Sequence, residues 1–257
     1  MEKEGIESKQ QYRYVCEDTV DAIFTAIYLA WEKGTTVTSI EIEGEEDTPS
    51  FFYQYIQVKT DAQLASKVAT SIRKKLSLEI YTAVFRTALS NEHGKAELIY
   101  RFLVKAFRVG PQIIHQLQDD DVNKVTVIGR KVGSEAHKYL GFVRFEERNN
   151  GILVARINPL ANVVPLIADH FQDRLHNENW IILDTVRNIS AIHSKGQNYV
   201  LSKEITENML LEMSTLSDKE QEYQKLWKQF FHTIAIKERE NTKLQQNMMP
   251  LRYRKYM

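Results

Sequence analysis

The sequence predicts an α+β protein, and three observations carry that expectation. Residues 141 to 201 read as strand, strand, helix, strand, strand, an order that packs one helix across an antiparallel sheet. Residues 61 to 140 repeat apolar positions at helical spacing. The chain then closes on an amphipathic helix, with Tyr223, Leu226, Trp227, Phe230, Phe231 and Ile234 on one face. A short run rich in Arg, Lys, Tyr and Asn follows it.

Taken in order, Tyr12 to Cys16 is a strand. Asp18-Thr19 offers an N-cap to a helix whose core face is Ala22, Ile23, Ala26, Ile27, Ala30 and Trp31. Gly34 ends it. Ser39 to Glu43 and Phe51 to Val58 alternate apolar and polar residues, as half-buried strands do, with a break at residues 45–49. Leu64, Val68, Ile72 and Leu76 mark the next helix. Ile80, Val84, Phe85 and Leu89 mark another, and Leu98, Ile99, Phe102, Leu103, Ala106 and Phe107 a third. Gly110-Pro111 stops the third. A fourth runs from the Asp119-Asp120-Asp121 cluster to about Tyr139; acids at a helix start suit its dipole and account for the cluster without a metal.

Strands at Gly141 to Arg148 and Gly151 to Ile157 form a hairpin turned at Asn149-Asn150-Gly151. A helix over Val163 to Leu175 and strands at Trp180 to Asp184 and Ile189 to His193 complete the layer. Residues 202–218 are partly helical, and Ser217-Asp218 with Glu220 nearby starts the final helix. The segments are therefore 1–60, an N-terminal α/β piece; 61–140, helical; 141–201, the ββαββ layer; and 202–257, a helical and basic tail. They form one compact unit or two tightly packed domains.

Totals narrow the function. The 257 residues carry 34 basic and 34 acidic side chains, so the chain is no uniformly basic nucleic-acid coat. The charge is uneven, however. Glu2 to Asp47 holds 12 acids and 4 bases; Lys59 to Arg108 holds 10 bases and 4 acids; Lys237 to Met257 holds 6 bases and 2 acids. The two basic regions can share a phosphate-attracting face, or they can pair with the acidic N-terminal region. Cys16 is the single cysteine, which forbids an intrachain disulfide, a four-cysteine zinc site or an iron–sulfur cluster from this chain alone. Its place in a strand makes it a buried structural thiol. No apolar run reaches the ~18 residues of a membrane helix, and the polar first ten residues lack a signal-peptide core. The expected location is the cytoplasm, with no membrane partner.

Candidate sites follow from residue type. In a strand over Gly141 to Phe145, Phe142 and Arg144 share one face, and a ring beside an arginine on an open sheet stacks a base and holds a phosphate. The tail offers Arg239, Arg252, Tyr253, Arg254, Lys255 and Tyr256, guanidinium forks with phenol rings among them. The competing reading is a clamp of internal salt bridges. His137, Asp169, His170 and Asp184 are the acid–base candidates, if the fold converges them. Asp169 and His170 are adjacent in a helix and point about 100° apart, which favours a structural histidine. Asp184 with Arg187 suits a turn salt bridge. No glycine-rich phosphate loop, paired-histidine metal motif or zinc-deaminase pattern occurs, and no cofactor is implied.

LWKQFFHTIAIKEREN and PLRYRKY in the tail resemble the C-terminal signature of a bacterial family labelled DNA metabolism or DNA repair protein, a domain of unknown function. YVCEDTVDAIFTAIYLAWE, EAHKYLGFVRF, and NPLANVVPLIADHFQDR followed by WIILD are similar as well, so the likeness covers nearly the whole chain. That family commonly carries an aromatic between the Tyr and Lys of the tail; here the position is Arg254, which removes a stacking ring. The resemblance implies a setting beside a DNA-repair radical S-adenosylmethionine (radical SAM) protein, with some members fused to uracil-DNA glycosylase-like domains. The implied function is a DNA-repair accessory protein binding DNA or that radical enzyme, with Arg144, Arg239, Arg252, Tyr253 and Lys255 as the contacts. The alternatives are an enzyme on a damaged nucleotide, or a structural adaptor without DNA contact.

Overall fold

The structure is a computed structural model, and it describes residues 11–34, 38–45, 53–203, 215–236 and 241–256. Two compact units divide the chain, Met1–Gly133 and Ser134–Met257. The predicted helical content of residues 202–218 and the candidate Arg239 lie largely or wholly outside the described residues.

The first unit is built on three parallel strands, β1 (Gln11–Cys16), β2 (Thr38–Ile42) and β3 (Tyr53–Gln57), in the order β2-β1-β3. Tyr14 on the central strand pairs in register with Ile40 on one side and Ile56 on the other. Helix α1 (Val20–Glu32) is the crossover that lets β2 return parallel to β1. The Thr19 hydroxyl caps it, accepting the Ala22 N–H at 3.1 Å. Six consecutive α1 residues, Ala22–Ile27, are buried, more than an amphipathic stripe gives.

Helix α2 (Ala62–Lys75) starts at Asp61, whose carboxylate accepts the N–H groups of Gln63 and Leu64. The predicted Val68 and Ile72 face the core. Helices α3 (Leu78–Ala88) and α4 (Lys95–Val109) follow with their apolar faces buried as the periodicity predicts. The Ile40 N–H on edge strand β2 would face away from the sheet unpaired; the Glu97 carboxylate of α4 accepts it at 2.9 Å. Burial raises the pKa of that carboxyl above its ordinary value. Lys95 is 3 % exposed, pairs with Asp18 at 2.6 Å and donates to the Ser90 carbonyl.

Helix α5 (Asp120–Phe142) is longer than the sequence predicts. Gly141 reads as a helix stop but does not take the left-handed conformation that ends helices, and α5 runs through it. The expected strand at 141–148 is therefore reduced to β4 (Glu146–Glu147), and Phe142 and Arg144 do not share a strand face.

In the second unit β4, β5 (Leu153–Ile157), β6 (Trp180–Asp184), β7 (Ile189–His193) and β8 (Val200–Ser202) form one sheet in chain order. The predicted turn is present: Gly151 has φ +77° and donates its N–H to the Arg148 carbonyl. The expected antiparallel layer needs correction. β5 and β6 are parallel, while the other pairs are antiparallel. Helix α6 (Val164–Arg174) joins β5 to β6 as a crossover, and a crossover returns the chain in the same direction. All five β6 residues are buried; Trp180 at its start stacks on His193 with ring centroids 5.0 Å apart.

The C-terminal helix α7 (Asp218–Ile234) is capped by Ser217, whose hydroxyl accepts the Glu220 N–H. An amphipathic stripe of this kind ordinarily seats on a core, but this one stays in solvent. Tyr223, Leu226, Trp227, Phe230, Phe231 and Ile234 are 53 % to 68 % exposed, and Glu220 is the buried residue of the helix. A short helix α8 (Thr242–Met248) and a 3-10 turn at Leu251–Tyr256 follow. No helix among the described residues is long and apolar enough to cross a membrane.

Candidate functional site

The tail residues expected to face a nucleic acid are for the most part held inward. Tyr253 is 4 % exposed, with its ring against Tyr139 and Phe142 at centroid distances of 4.9 and 5.4 Å. Burial raises its pKa, as it does for Tyr139. Arg252 donates to the Tyr253 hydroxyl at 2.9 Å and lies 3.6 Å from Glu135. Glu135 is itself buried and accepts the N–H groups of Leu160 and Ala161 at 2.9 and 3.0 Å. Arg254 donates to the Met249 carbonyl. Tyr256 shares a hydrogen bond with Thr185 at 3.1 Å. Burial pushes the Tyr256 pKa up, but its bonds to Thr185 and Lys255 outweigh that and leave it below its usual value. Lys255 stays exposed. The last turn is thus a plug in the second unit, not an open stacking platform.

Arg144 is also engaged, donating to Glu220 at 2.9 Å and so tying the start of α7 to its unit. Gln224 adds a bond to the same carboxylate. Nearby Arg148, which the sequence reading passed over, is 2 % exposed and paired with Glu146 at 2.7 Å.

The acid–base candidates do not assemble into a catalytic cluster. Asp184 is fully buried, but its oxygens take the Val186 and Arg187 N–H groups and the Arg187 guanidinium at 3.1 Å, the expected turn salt bridge. His137 is exposed on α5. Asp169 and His170 are exposed on α6, which corrects the expectation of a structural histidine inside. Asp119 and Asp121 are answered by cations: Lys105 reaches Asp119 at 2.6 Å and Asp121 at 2.9 Å, and Arg101 reaches Asp121 at 2.7 Å. The hydrogen bond from Lys105 holds Asp119 below its ordinary pKa. Burial pushes Asp121 up, yet the bonds from Arg101 and Lys105 prevail and hold it low.

A concave site lies elsewhere, in the first unit. A cleft of about 570 Å³ opens between α4 and the first turns of α5. Lys124, Val127, Ile128 and Lys131 line it from α5 at the spacing of one helix face, and Leu98 and Arg101 line it from α4. Glu92, His93, Gly94 and Asn123 complete the rim. Gly94 has φ +68°, which lets the chain turn sharply into α4. Its N–H is anchored by the Glu45 carboxylate at 3.2 Å.

The electrostatics of this cleft are basic above an apolar floor. Lys124 has no ion-pair partner among the described residues. Lys131 lies 3.8 Å from Glu92, and both side chains are about half or more exposed, so that pair holds the ammonium weakly. Arg101 is tied to Asp121 on one side, with its side chain 49 % exposed. Leu98 and Ile128 are buried beneath them, and Val127 is 40 % exposed. Such a site attracts phosphate oxygens to its rim and offers a base or sugar an apolar surface. Sequence reasoning missed it because helix periodicity identifies faces but not which faces meet. The signal was there in part: Arg101 belongs to the base-rich run Lys59 to Arg108, and Lys124 and Lys131 each stand about one turn from the adjacent Val127 and Ile128.

A family model described as a domain of unknown function, DUF4130, matches residues 93–257. The chain belongs to the DUF4130 family. The DUF4130 match begins at His93 on the cleft rim, takes in every cleft residue except Glu92, and continues through the whole second unit. Strands β1 to β3 and helices α1 to α3 lie outside it. No curated protein matches the chain.

Proposed function

We propose that this chain is an accessory protein of DNA metabolism that holds a nucleic-acid strand in the α4–α5 cleft. The single observation that supports this reading best is the cleft's lining: Lys124, Lys131, Arg101 and His93, with one acid, Glu92, around Leu98, Val127 and Ile128. Cations placed on a concave rim engage phosphates, and the apolar floor suits a splayed base. The tail takes a smaller part. Lys255 is exposed, while Arg252, Tyr253 and Arg144 serve the fold. The resemblance of the tail and core segments to a DNA-repair family supports the choice of DNA over other polyanions. The radical SAM protein and the uracil-DNA glycosylase-like protein are proposed companions on that resemblance alone.

The test is fluorescence anisotropy with labelled single- and double-stranded DNA across a salt series. Three phosphate contacts give a slope of log K against log salt of about −2 to −3. Lys124→Glu with Lys131→Glu weakens binding at least tenfold at low salt. Absence of binding to any oligonucleotide at low salt would falsify the reading. A structural adaptor is the second reading, favoured by the uncovered apolar face of α7; it predicts loss of partner capture when that face is made polar, with DNA binding absent.

A further inference from the structure

Arg101 lines the α4–α5 cleft, and its Nη2 donates to the Asp121 carboxylate at 2.7 Å. Asp121 is 7 % exposed and is not one of the lining residues, so the acid stands behind the arginine. The acid is itself fixed. Lys105, one turn after Arg101 on α4, reaches the other Asp121 oxygen at 2.9 Å and grips Asp119 at 2.6 Å. Asp119 in turn accepts the Asp121 and Val122 N–H groups at the start of α5, at 2.9 and 3.2 Å. Two rungs, Arg101–Asp121 and Lys105–Asp119, thus join the two helices that wall the cleft. Glu97, the other carboxylate in electrostatic reach of Arg101, is taken up by the Ile40 N–H. On the reading of this cleft as a nucleic-acid site, on which the assignment rests, we propose that Asp121 positions Arg101, holding its guanidinium toward the cleft so that it grips one phosphate of the bound strand.

A guanidinium carries several N–H donors in a rigid fork, and the Asp121 bond engages one nitrogen of it. Donors remain for a phosphate, and the Arg101 side chain is 49 % exposed against 9 % for that of Asp121. An unrestrained arginine loses rotamer freedom when it closes on a phosphate, which lowers affinity by a factor of about 2 to 13. Asp121 takes that freedom away before the strand arrives. The two lysines have no comparable restraint. Lys124 has no ion-pair partner among the described residues, and Lys131 lies 3.8 Å from a half-exposed Glu92. Lysine ammoniums act as mobile point charges, whereas a held arginine fixes where a phosphate sits. Lys124 and Lys131 therefore attract the strand, and Arg101 sets its register. Charge alone argues the opposite way for Asp121: an acid beside the cleft repels a polyanion, and removing it would strengthen binding. The two accounts differ in sign.

The experiment is a double-mutant cycle of Asp121→Asn and Arg101→Met in the full chain, read as affinity for labelled single-stranded DNA across a salt series. Asp121→Asn weakens binding about fivefold and makes the slope of log K against log salt shallower by about 0.7, one phosphate on a single strand. Arg101→Met weakens binding at least as much. In the Arg101→Met chain, Asp121→Asn leaves the affinity unchanged or raises it, because no fork is left to orient and one repelling charge is gone. An acid that only secures the start of α5 lowers affinity in both backgrounds, and that result overturns the proposal. So does unchanged or tighter binding by Asp121→Asn in the parent chain. Arg101→Lys keeps the charge and the pairing with Asp121, so it tests the fork without unsettling the fold. It weakens binding about threefold or more, and parental affinity in this variant overturns the proposal as well. Failure of the cleft itself is separable: no DNA binding by the parent, or indifference to Lys124→Glu with Lys131→Glu, removes both readings, whereas cleft binding that Asp121→Asn strengthens removes the positioning role alone.

Discussion

Arg252 and Glu135 meet at 3.6 Å, and the Glu135 carboxylate also accepts two backbone N–H groups from the loop at Leu160 and Ala161. One buried carboxylate therefore secures the loop after β5 and the start of the last turn. Glu135→Ala leaves both N–H groups without their acceptor, which costs about 1–3 kcal/mol. Arg252→Ala costs less, because its side chain is 34 % exposed and the pair is long. Urea unfolding followed by circular dichroism measures both, and the expected order is Glu135→Ala well above Arg252→Ala.

Cys16 is 0 % exposed, and burial pushes its thiol pKa up to about 12. The thiolate is the reactive form, so the folded protein does not react with a thiol reagent at neutral pH. One equivalent of thiol appears when the chain is unfolded in denaturant. Rapid labelling of the native protein would contradict the burial of β1.

Asp119 and Asp121 both have pKa values below those of the unfolded chain. For a carboxyl with a depressed folded value, the stabilisation is present above the unfolded value, ~3.9 for Asp. It is lost as pH falls through the lower folded values. Neutralising the pair removes the grip of Lys105 and Arg101 on the start of α5. Asp119→Asn with Asp121→Asn accordingly flattens the stability-against-pH curve below about pH 4. Thermal melts across that range at fixed ionic strength test it.

Gly129 sits where α5 crosses α3: a Cβ there would meet the Ala83 carbonyl oxygen at 3.1 Å. Alanine gains about 1 kcal/mol of helix propensity over glycine, but forcing two packed backbones apart costs about 1–3 kcal/mol. The backbone of α3 yields less readily than a side chain tip, so Gly129→Ala lowers the melting temperature. An increase would show that α3 and α5 are free to separate.

Local chemistry was readable from residue order. Thr19 and Ser217 each cap a helix by accepting an N–H, and Gly151 turns the β4–β5 hairpin. The apolar faces of α2, α3 and α4 point inward as their spacing predicts. What needed coordinates was the pairing between elements. A helix separates β5 from β6, and that connection makes them parallel. Gly141 looked like a stop because its type permits left-handed geometry, yet type alone does not impose it. The α7 stripe announced a face in need of cover without saying that the body does not supply it. The candidate arginines looked available because sequence does not reveal Glu135 and Glu220 beside Arg252 and Arg144. The cleft was hidden for the same reason, since Arg101 and Lys124 belong to different helices.

The most direct measurement of the functional claim is the DNA affinity of the intact chain against its Lys124→Glu/Lys131→Glu variant, at matched low salt. The account predicts a loss of at least tenfold in the variant and a salt slope in the parent of about −2 to −3. Equal affinity in the two chains would place any DNA contact outside the α4–α5 cleft and contradict it.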